Sequence, residues 1–221
     1  MNVKDLPILY SFRRCPYAMR ARMALYVSDQ VCQLREILLR DKPAHMIEQS
    51  SKGTVPVLVL GEGTVLDESL DIMLWALNRE DPHSWLSPNG GTLDQMNDLI
   101  AENDGPFKQH LDRYKYPTRY ENVDPIEQRS GGLRFLDVLN ARLESQDYLF
   151  GPAQSLADIA IFPFIRQFAN TDRVWFDGLD LKPLQAWLSF HLEMDLFQRI
   201  MVKWPVWSEG QDVVVFPDAA S

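Results

Sequence analysis

Hydrophobic periodicity changes character once along this chain. Up to about residue 80, short β-branched or apolar runs alternate with helical periods, whereas after about residue 90 the ordered stretches all read as helix. That change predicts two domains, residues 1–80 as a mixed α/β unit and residues 90–221 as an all-α unit, with Glu80-Asp81-Pro82-His83 as the linker.

Within the first part, Ile8-Leu9-Tyr10-Ser11-Phe12 reads as a strand that runs through Arg13-Arg14-Cys15 directly into a helix over Pro16 to Val27, with Tyr17, Ala21, Ala24 and Leu25 on one face. Cys32 to Leu39 alternates as a second strand, and Asp41 to Gln49 is helix-prone. Val57 to Leu60 and Val65-Leu66 form a hairpin across Gly61-Glu62-Gly63, and Ser69 to Arg79 closes the unit as a helix. The order βαβ then ββα is that of a thioredoxin-like sheet with helices on both faces.

The second part predicts helices at about 92–116, 124–145, 155–170 and 183–200, a bundle whose members are separated by Pro, Gly and Asp. Ser155-Leu156-Ala157-Asp158 resembles a capping box in which the Asp158 carboxylate bonds backwards to the Ser155 N–H. Pro163 falls inside the helix that follows and removes one donor, so a kink is expected there, with the carbonyl near Ile159 left to find another donor or water. The tail after Trp204 has no clear period.

At 221 residues and 46% hydrophobic content the chain buries a real core, and no apolar stretch approaches the length a bilayer demands. The N-terminus lacks a charged segment, apolar run and cleavage site, so a soluble, cytoplasmic protein with no membrane partner is expected. A formal charge of −9 repels phosphate backbones and argues against a nucleic-acid partner. The two cysteines, Cys15 and Cys32, make neither a disulfide framework nor a zinc spacing, so no metal is expected and each thiol needs its own account.

Cys32 lies in a predicted strand with Leu34 and Leu38 as alternate neighbours, a core position. Cys15 has a different address. A thiol attacks as thiolate, and the positive end of a helix favours that form. Pro16 suits the first helical position because its missing N–H would be unpaired there anyway, which sets Cys15 at the N-cap with the amides of Tyr17 and Ala18 free to face its sulfur. Arg13 and Arg14 add positive potential. Cys15-Pro16-Tyr17-Ala18 has one sulfur where a dithiol enzyme has two, so a mixed disulfide on Cys15 must be resolved by an external thiol, for which glutathione is the obvious candidate.

The run Cys15-Pro16-Tyr17-Ala18-Met19-Arg20-Ala21-Arg22, followed by Asp41-Lys42-Pro43, Thr54-Val55-Pro56-Val57-Leu58 and Asp67-Glu68-Ser69-Leu70, resembles the N-terminal domain of glutathione transferases. The similarity is nearest to the cysteine-type, omega-like branch of bacterial two-domain type. It implies glutathione as co-substrate, a homodimer, and a set of binding residues: Val55, preceding a cis Pro56, for the cysteinyl part; Glu68 and Ser69 for the γ-glutamyl end; and Lys42 for the glycyl carboxylate. It also implies an electrophile pocket in the second domain, for which Asn103, Phe107, Tyr114, Arg166 and Trp175 are candidates. The expected activity is thiol transfer through a Cys15–glutathione disulfide, by deglutathionylation or dehydroascorbate-type reduction, with glutathione conjugation or a non-enzymatic binding role as alternatives. For conjugation, Tyr10, Ser11 and Tyr17 are the hydroxyls in position to be considered.

Overall fold

The computed structural model describes residues 3–217 and divides into two compact units, one made of the residues up to His83 together with those from Asp195 onward, the other of Ser84–Met194. The first unit is built on a five-stranded sheet. Its strands are β1 (Ile8–Ser11), β2 (Cys32–Glu36), β3 (Val57–Val59), β4 (Val65–Leu66) and β5 (Val214–Phe216), in the order β4-β3-β1-β2-β5. Only β1 and β2 run parallel, joined by helix α1 (Pro16–Val27); the remaining pairs are antiparallel. The first four strands with α1, α2 (Ala44–Gln49) and α3 (Ser69–Leu77) are the thioredoxin-like arrangement, and β5 extends it by pairing Cys32 with Phe216 and Leu34 with Val214. The segment from Asp195, assigned by periodicity to the helical part, thus groups with the first unit and supplies an edge strand to its sheet.

Helix α1 is buried almost all round, from Pro16 and Ala18 through Leu25, because it packs against the sheet unit's α3 and against α10 (Asp195–Ile200). Alanines and methionines fit such a crowded position. Arg20 and Arg22 do not, and each is 2% exposed, so both guanidinium groups must find partners inside. On the opposite side of the sheet, Tyr10, Ile37, Met46, Val55 and Val57 form a second buried cluster, with Ile8, Phe12 and Cys15 packed against it.

In the helical unit the expected run over 92–116 is two helices, α4 (Leu93–Glu102) and α5 (Lys108–Lys115), joined by a π-helical turn at Asn103–Phe107. Pro106 lies in that turn and has no N–H to return to the preceding carbonyls, which favours the wider winding. Then come α6 (Pro125–Leu143), α7 (Leu156–Ala169), α8 (Arg173–Asp177) and α9 (Lys182–Glu193). Helix α7 runs through Pro163 unbroken. The box at its start is present: Asp158 accepts from the Ser155 N–H at 2.9 Å and from the Ser155 hydroxyl at 2.6 Å. The same carboxylate accepts from the Leu149 N–H at 2.9 Å and the Trp187 indole at 2.8 Å, so it holds the approach to α7 and α9 together. Met194, with ψ at 135°, ends α9 and splits the stretch expected at 183–200 into α9 and α10. Among the described residues no helix is long and apolar enough to cross a membrane.

Candidate active site

Strand β1 delivers the chain to a tight turn that ends on Cys15. The Cys15 N–H donates to the Phe12 carbonyl at 3.0 Å, and its own carbonyl accepts from Met19 at 2.9 Å, the first bond of α1. With φ at −76° and ψ at 123°, Cys15 is the extended N-cap residue and Pro16 the first helical one. The sulfur departs from expectation in one respect. No side-chain hydrogen bond caps the helix at Cys15; the thiol donates instead to the Val55 carbonyl, 3.6 Å away. A protonated sulfur is a weak acceptor with a proton to place, so it turns to a carbonyl rather than to amides.

Positive charge reaches the sulfur from Arg22 in the core. Arg14 is exposed and lies over the Phe12 ring, and Arg13 sends a long 3.5 Å bond to the Met201 carbonyl. Arg22, which the sequence reading passed over, lies in the core: it donates to the Ser11 hydroxyl, to the Arg13 carbonyl at 2.8 Å and to the Ile200 carbonyl at 3.1 Å. Burial pushes its pKa down to about 10, while the nearby charges of Glu36 and Cys15 push it up, so it stays a cation at neutral pH. Glu36 in turn accepts from the Arg13 N–H at 2.7 Å, and burial holds its carboxyl above the usual carboxylate range against the pull of Arg13 and Arg22. The turn carrying Cys15 is therefore fastened at both ends to charged groups.

The Val55–Pro56 peptide is cis, and Val55, 6% exposed, stands just outside the β1–β3 ladder that begins at Val57. Glu68 is the N-cap of α3 and Ser69 its first residue. The Ser69 hydroxyl is buried and accepts from the Arg20 guanidinium at 3.0 Å, which ties the start of α3 to the helix that begins at Cys15. Glu68 is exposed and paired with Lys52 at 2.6 Å; Lys52 also meets Asp67 at 2.9 Å, and Ser50 donates to the other Asp67 oxygen at 2.7 Å. These contacts raise the Lys52 pKa and lower that of Asp67. Lys52 is a second residue that sequence reasoning missed, since an exposed loop lysine carries no signal of its own. Lys42 is exposed, and its ammonium lies over Gly53, 3.4 Å from where a side chain there would begin. Gly53 has φ at +60°, a conformation glycine adopts without strain.

Two of the hydroxyls weighed for conjugation, those of Tyr10 and Ser11, are engaged elsewhere. Tyr10 is fully buried with its hydroxyl on His45 and Arg35, Ser11 is buried on Arg22, and the Tyr17 ring lies under Arg20, 5.1 Å from the guanidinium.

Of the second-domain candidates, Phe107 and Tyr114 are buried and meet across Phe168, at ring separations of 5.5 Å and 5.2 Å. Trp175 flanks the same Phe168 at 6.1 Å and carries Arg129 on its face at 4.2 Å. Phe107 and Tyr114 are packing positions of the helical unit, and Trp175 is half-buried beside them. Asn103 is buried in the π turn, its amide donating to Asp104 at 2.8 Å while its carbonyl oxygen has no partner, and Arg166 is half-buried on α7. The structure therefore joins Cys15 with Val55, and α1 with Ser69, and places Lys42 beside Gly53.

Residues 9–84 match the family described as glutathione S-transferase, N-terminal domain, and residues 108–189 match glutathione S-transferase, C-terminal domain. The chain belongs to the glutathione transferase superfamily. It is 25% identical to glutathione S-transferase omega-1 of Sus scrofa over 95% of this chain and 84% of that protein, and 23% identical to the Mus musculus omega-1 protein over 90% and 77%. Among solved structures it resembles a Pseudomonas putida glutathione transferase with one glutathione disulfide bound per subunit, at a TM-score of 0.77 and 19% identity over 91% of this chain and 93% of that one. A glutathione transferase family member from Pseudomonas fluorescens with two glutathione bound matches at a TM-score of 0.76, with 19% identity over 91% and 94%. Within this superfamily of enzymes, the N-terminal-domain match falls in the α/β unit except for its last residue, and the C-terminal-domain match falls in the helical unit.

Proposed function

We propose that this glutathione transferase is a thiol transferase that works through a mixed disulfide between Cys15 and glutathione. The observation that carries the reading is the placement of Cys15: a half-buried sulfur at the start of a twelve-residue helix, above a buried guanidinium and beside the Val55 carbonyl. A helix start and a fixed cation both favour thiolate. In the first step the Cys15 thiolate attacks the glutathione sulfur of a glutathionylated substrate; the Cys15–glutathione disulfide forms, the substrate disulfide breaks, and the substrate leaves as thiolate. A second glutathione thiolate then attacks the sulfur of the bound glutathione, releasing glutathione disulfide and restoring Cys15. A dehydroascorbate-type acceptor would use the same sulfur and the same site.

The glutathione held during this cycle belongs to the first domain. Once Cys15 is deprotonated its bond to Val55 is given up, and the Val55 backbone can serve the cysteinyl part of the ligand. The first amides of α3 and the Glu68 carboxylate suit the γ-glutamyl carboxylate and ammonium, with Lys52 fixing Glu68 and Arg20 fixing Ser69. Lys42, exposed beside Gly53, is assigned to the glycyl carboxylate. A cytoplasmic homodimer is the matching assembly, and Asn103, Arg166 and Trp175 are the second-domain residues assigned to the acceptor.

The test is steady-state reduction of a small mixed disulfide by glutathione, coupled to glutathione reductase, comparing the intact protein with Cys15→Ser. Loss of turnover in the variant is expected. Conjugation of an aromatic electrophile that survives or rises in Cys15→Ala would instead assign the attack to bound glutathione. Tight glutathione binding without turnover of either kind would assign a binding role.

A further inference from the structure

On the α2 side of the sheet a cavity of about 450 Å³ opens between β2, the start of α2 and the segment that leads into β5. None of Cys15, Val55, Glu68 or Ser69 lines it. Its basic groups are Arg35 and His45, and their surroundings are unusual. Arg35 is half-buried, its guanidinium 4.3 Å from the centre of the Trp207 ring and 5.3 Å from that of Tyr10. One of its N–H groups goes to the Tyr10 oxygen at 2.6 Å. Among the described residues no carboxylate lies within salt-bridge distance of it, so the charge is held by two rings and a phenol, with guanidinium donors left over. The Tyr10 hydroxyl, already accepting from Arg35, is also hydrogen-bonded to His45 Nδ1. That bond engages Nδ1 and leaves Nε2 as the ring nitrogen a ligand can meet. Arg35 therefore offers guanidinium donors, and His45 its Nε2, at one cavity whose lining brings no carboxylate within salt-bridge distance of Arg35.

The rest of the lining narrows the ligand. Leu34, Pro43, Val213 and Val214 are apolar, and exposed Glu209 disfavours a second negative charge. We propose that this cavity is a second ligand site, separate from the thiol site, for an organic monocarboxylate on an apolar or aromatic body. The carboxylate meets Arg35 and His45, and the body lies against the valines.

The experiment is calorimetric titration of the full chain with 1-naphthoate, its neutral amide 1-naphthamide, and naphthalene-1,4-dicarboxylate. Naphthoate is expected to bind more tightly than either comparison compound, with saturating glutathione leaving its affinity unchanged. Arg35→Met should weaken it by roughly tenfold, the scale of one charge-assisted hydrogen bond. Val213→Trp, which fills the cavity from an exposed position and leaves Arg35 and Trp207 in place, should abolish it. Absence of naphthoate binding, equal binding of the amide, displacement by glutathione, or unchanged affinity in Val213→Trp would each overturn the assignment. Because the titration needs no turnover, its result is independent of the thiol-transfer reading.

Discussion

The Cys15 thiol and the Val55 carbonyl form one hydrogen bond, 3.6 Å long, between the start of α1 and the residue before a cis proline. A serine in place of Cys15 can make the same bond from its hydroxyl. Cys15→Ser is therefore expected to melt within a degree or so of the parent, since it changes one partly buried atom. It should lose reaction with iodoacetamide at the site altogether. Retained alkylation, mapped by mass spectrometry to Cys32, would show that the buried thiol is reached instead; burial holds that thiol well above the usual thiol range, so no such labelling is expected of the folded protein.

Arg22 serves the same turn from within. Arg22→Met removes three hydrogen bonds and leaves Glu36 without its buried counter-charge. Stranding buried acceptors costs about 1–3 kcal/mol each, so a loss of several kcal/mol is expected. Urea unfolding should show it. At urea concentrations where the variant remains folded, Cys15 alkylation should be slower than in the parent; an unchanged rate would mean that the guanidinium holds the turn without acting on the sulfur.

The Lys52 pairs lie on the surface, and their effect should be local. Lys52→Ala releases Glu68, so the KM for glutathione is expected to rise several-fold with kcat nearly unchanged, while the melting temperature stays put. The KM effect should shrink as salt is raised, because exposed pairs are screened. A fall in kcat at constant KM would place Lys52 in a role other than fixing Glu68.

His191 makes the helical unit sensitive to acid. It is fully buried, its Nδ1–H donates to the Trp187 carbonyl at 2.7 Å, and burial pushes its pKa below 6.5. The folded state thus takes up its proton less readily than the unfolded chain. Stability is full above the unfolded value and is lost as pH falls from there toward the folded value, with a limiting slope of about 1.4 kcal/mol per pH unit for one proton. Urea midpoints between pH 7.5 and 5.5 should fall for the parent, and more shallowly for His191→Gln; equal slopes would assign the acid sensitivity to other groups.

Asp158 collects four donors at a site with no exposure, from Ser155 twice, Leu149 and Trp187. Asp158→Ala strands all four, each at a cost of about 1–3 kcal/mol where water cannot replace the lost acceptor. Expression of mainly unfolded protein, seen by far-UV circular dichroism, is the expected outcome. Asp158→Asn should be intermediate, because its amide presents a donor where the carboxylate accepts.

Much of this architecture is written locally. Pro16 after a strand and a cysteine marks a helix start by backbone chemistry alone, and α1 begins there. Ser155 and Asp158 likewise mark the start of α7. Helix α8 was missed because five residues are too few to display a period, and Asp172, whose carboxylate accepts from the Trp175 N–H at 3.0 Å, was the one available cue. The split of the 92–116 run had a visible cause in Gly105-Pro106, read past because the apolar period continues on both sides. Around the site, residue types were legible and partners were not. Arg20 and Arg22 stand out among alanines and methionines, yet only tertiary structure sends one to Ser69 and the other to Ser11 and Ile200. The Lys52 bridge to Glu68 depends on two loops meeting, which no spacing encodes.

Strand β5 imposes an order on how the molecule is made. The outer edge of β2, with Cys32 on it, gains its neighbour only when Val214–Phe216 arrive, and in the chain those residues follow the entire helical unit. During synthesis the first sheet must wait with an open edge and an unclosed cavity beside Arg35 while the more than a hundred residues of the helical unit are made, a state in which edge pairing with another nascent chain competes with the native closure. The helical unit is, in this sense, an insertion that the α/β unit must outlast before it is whole.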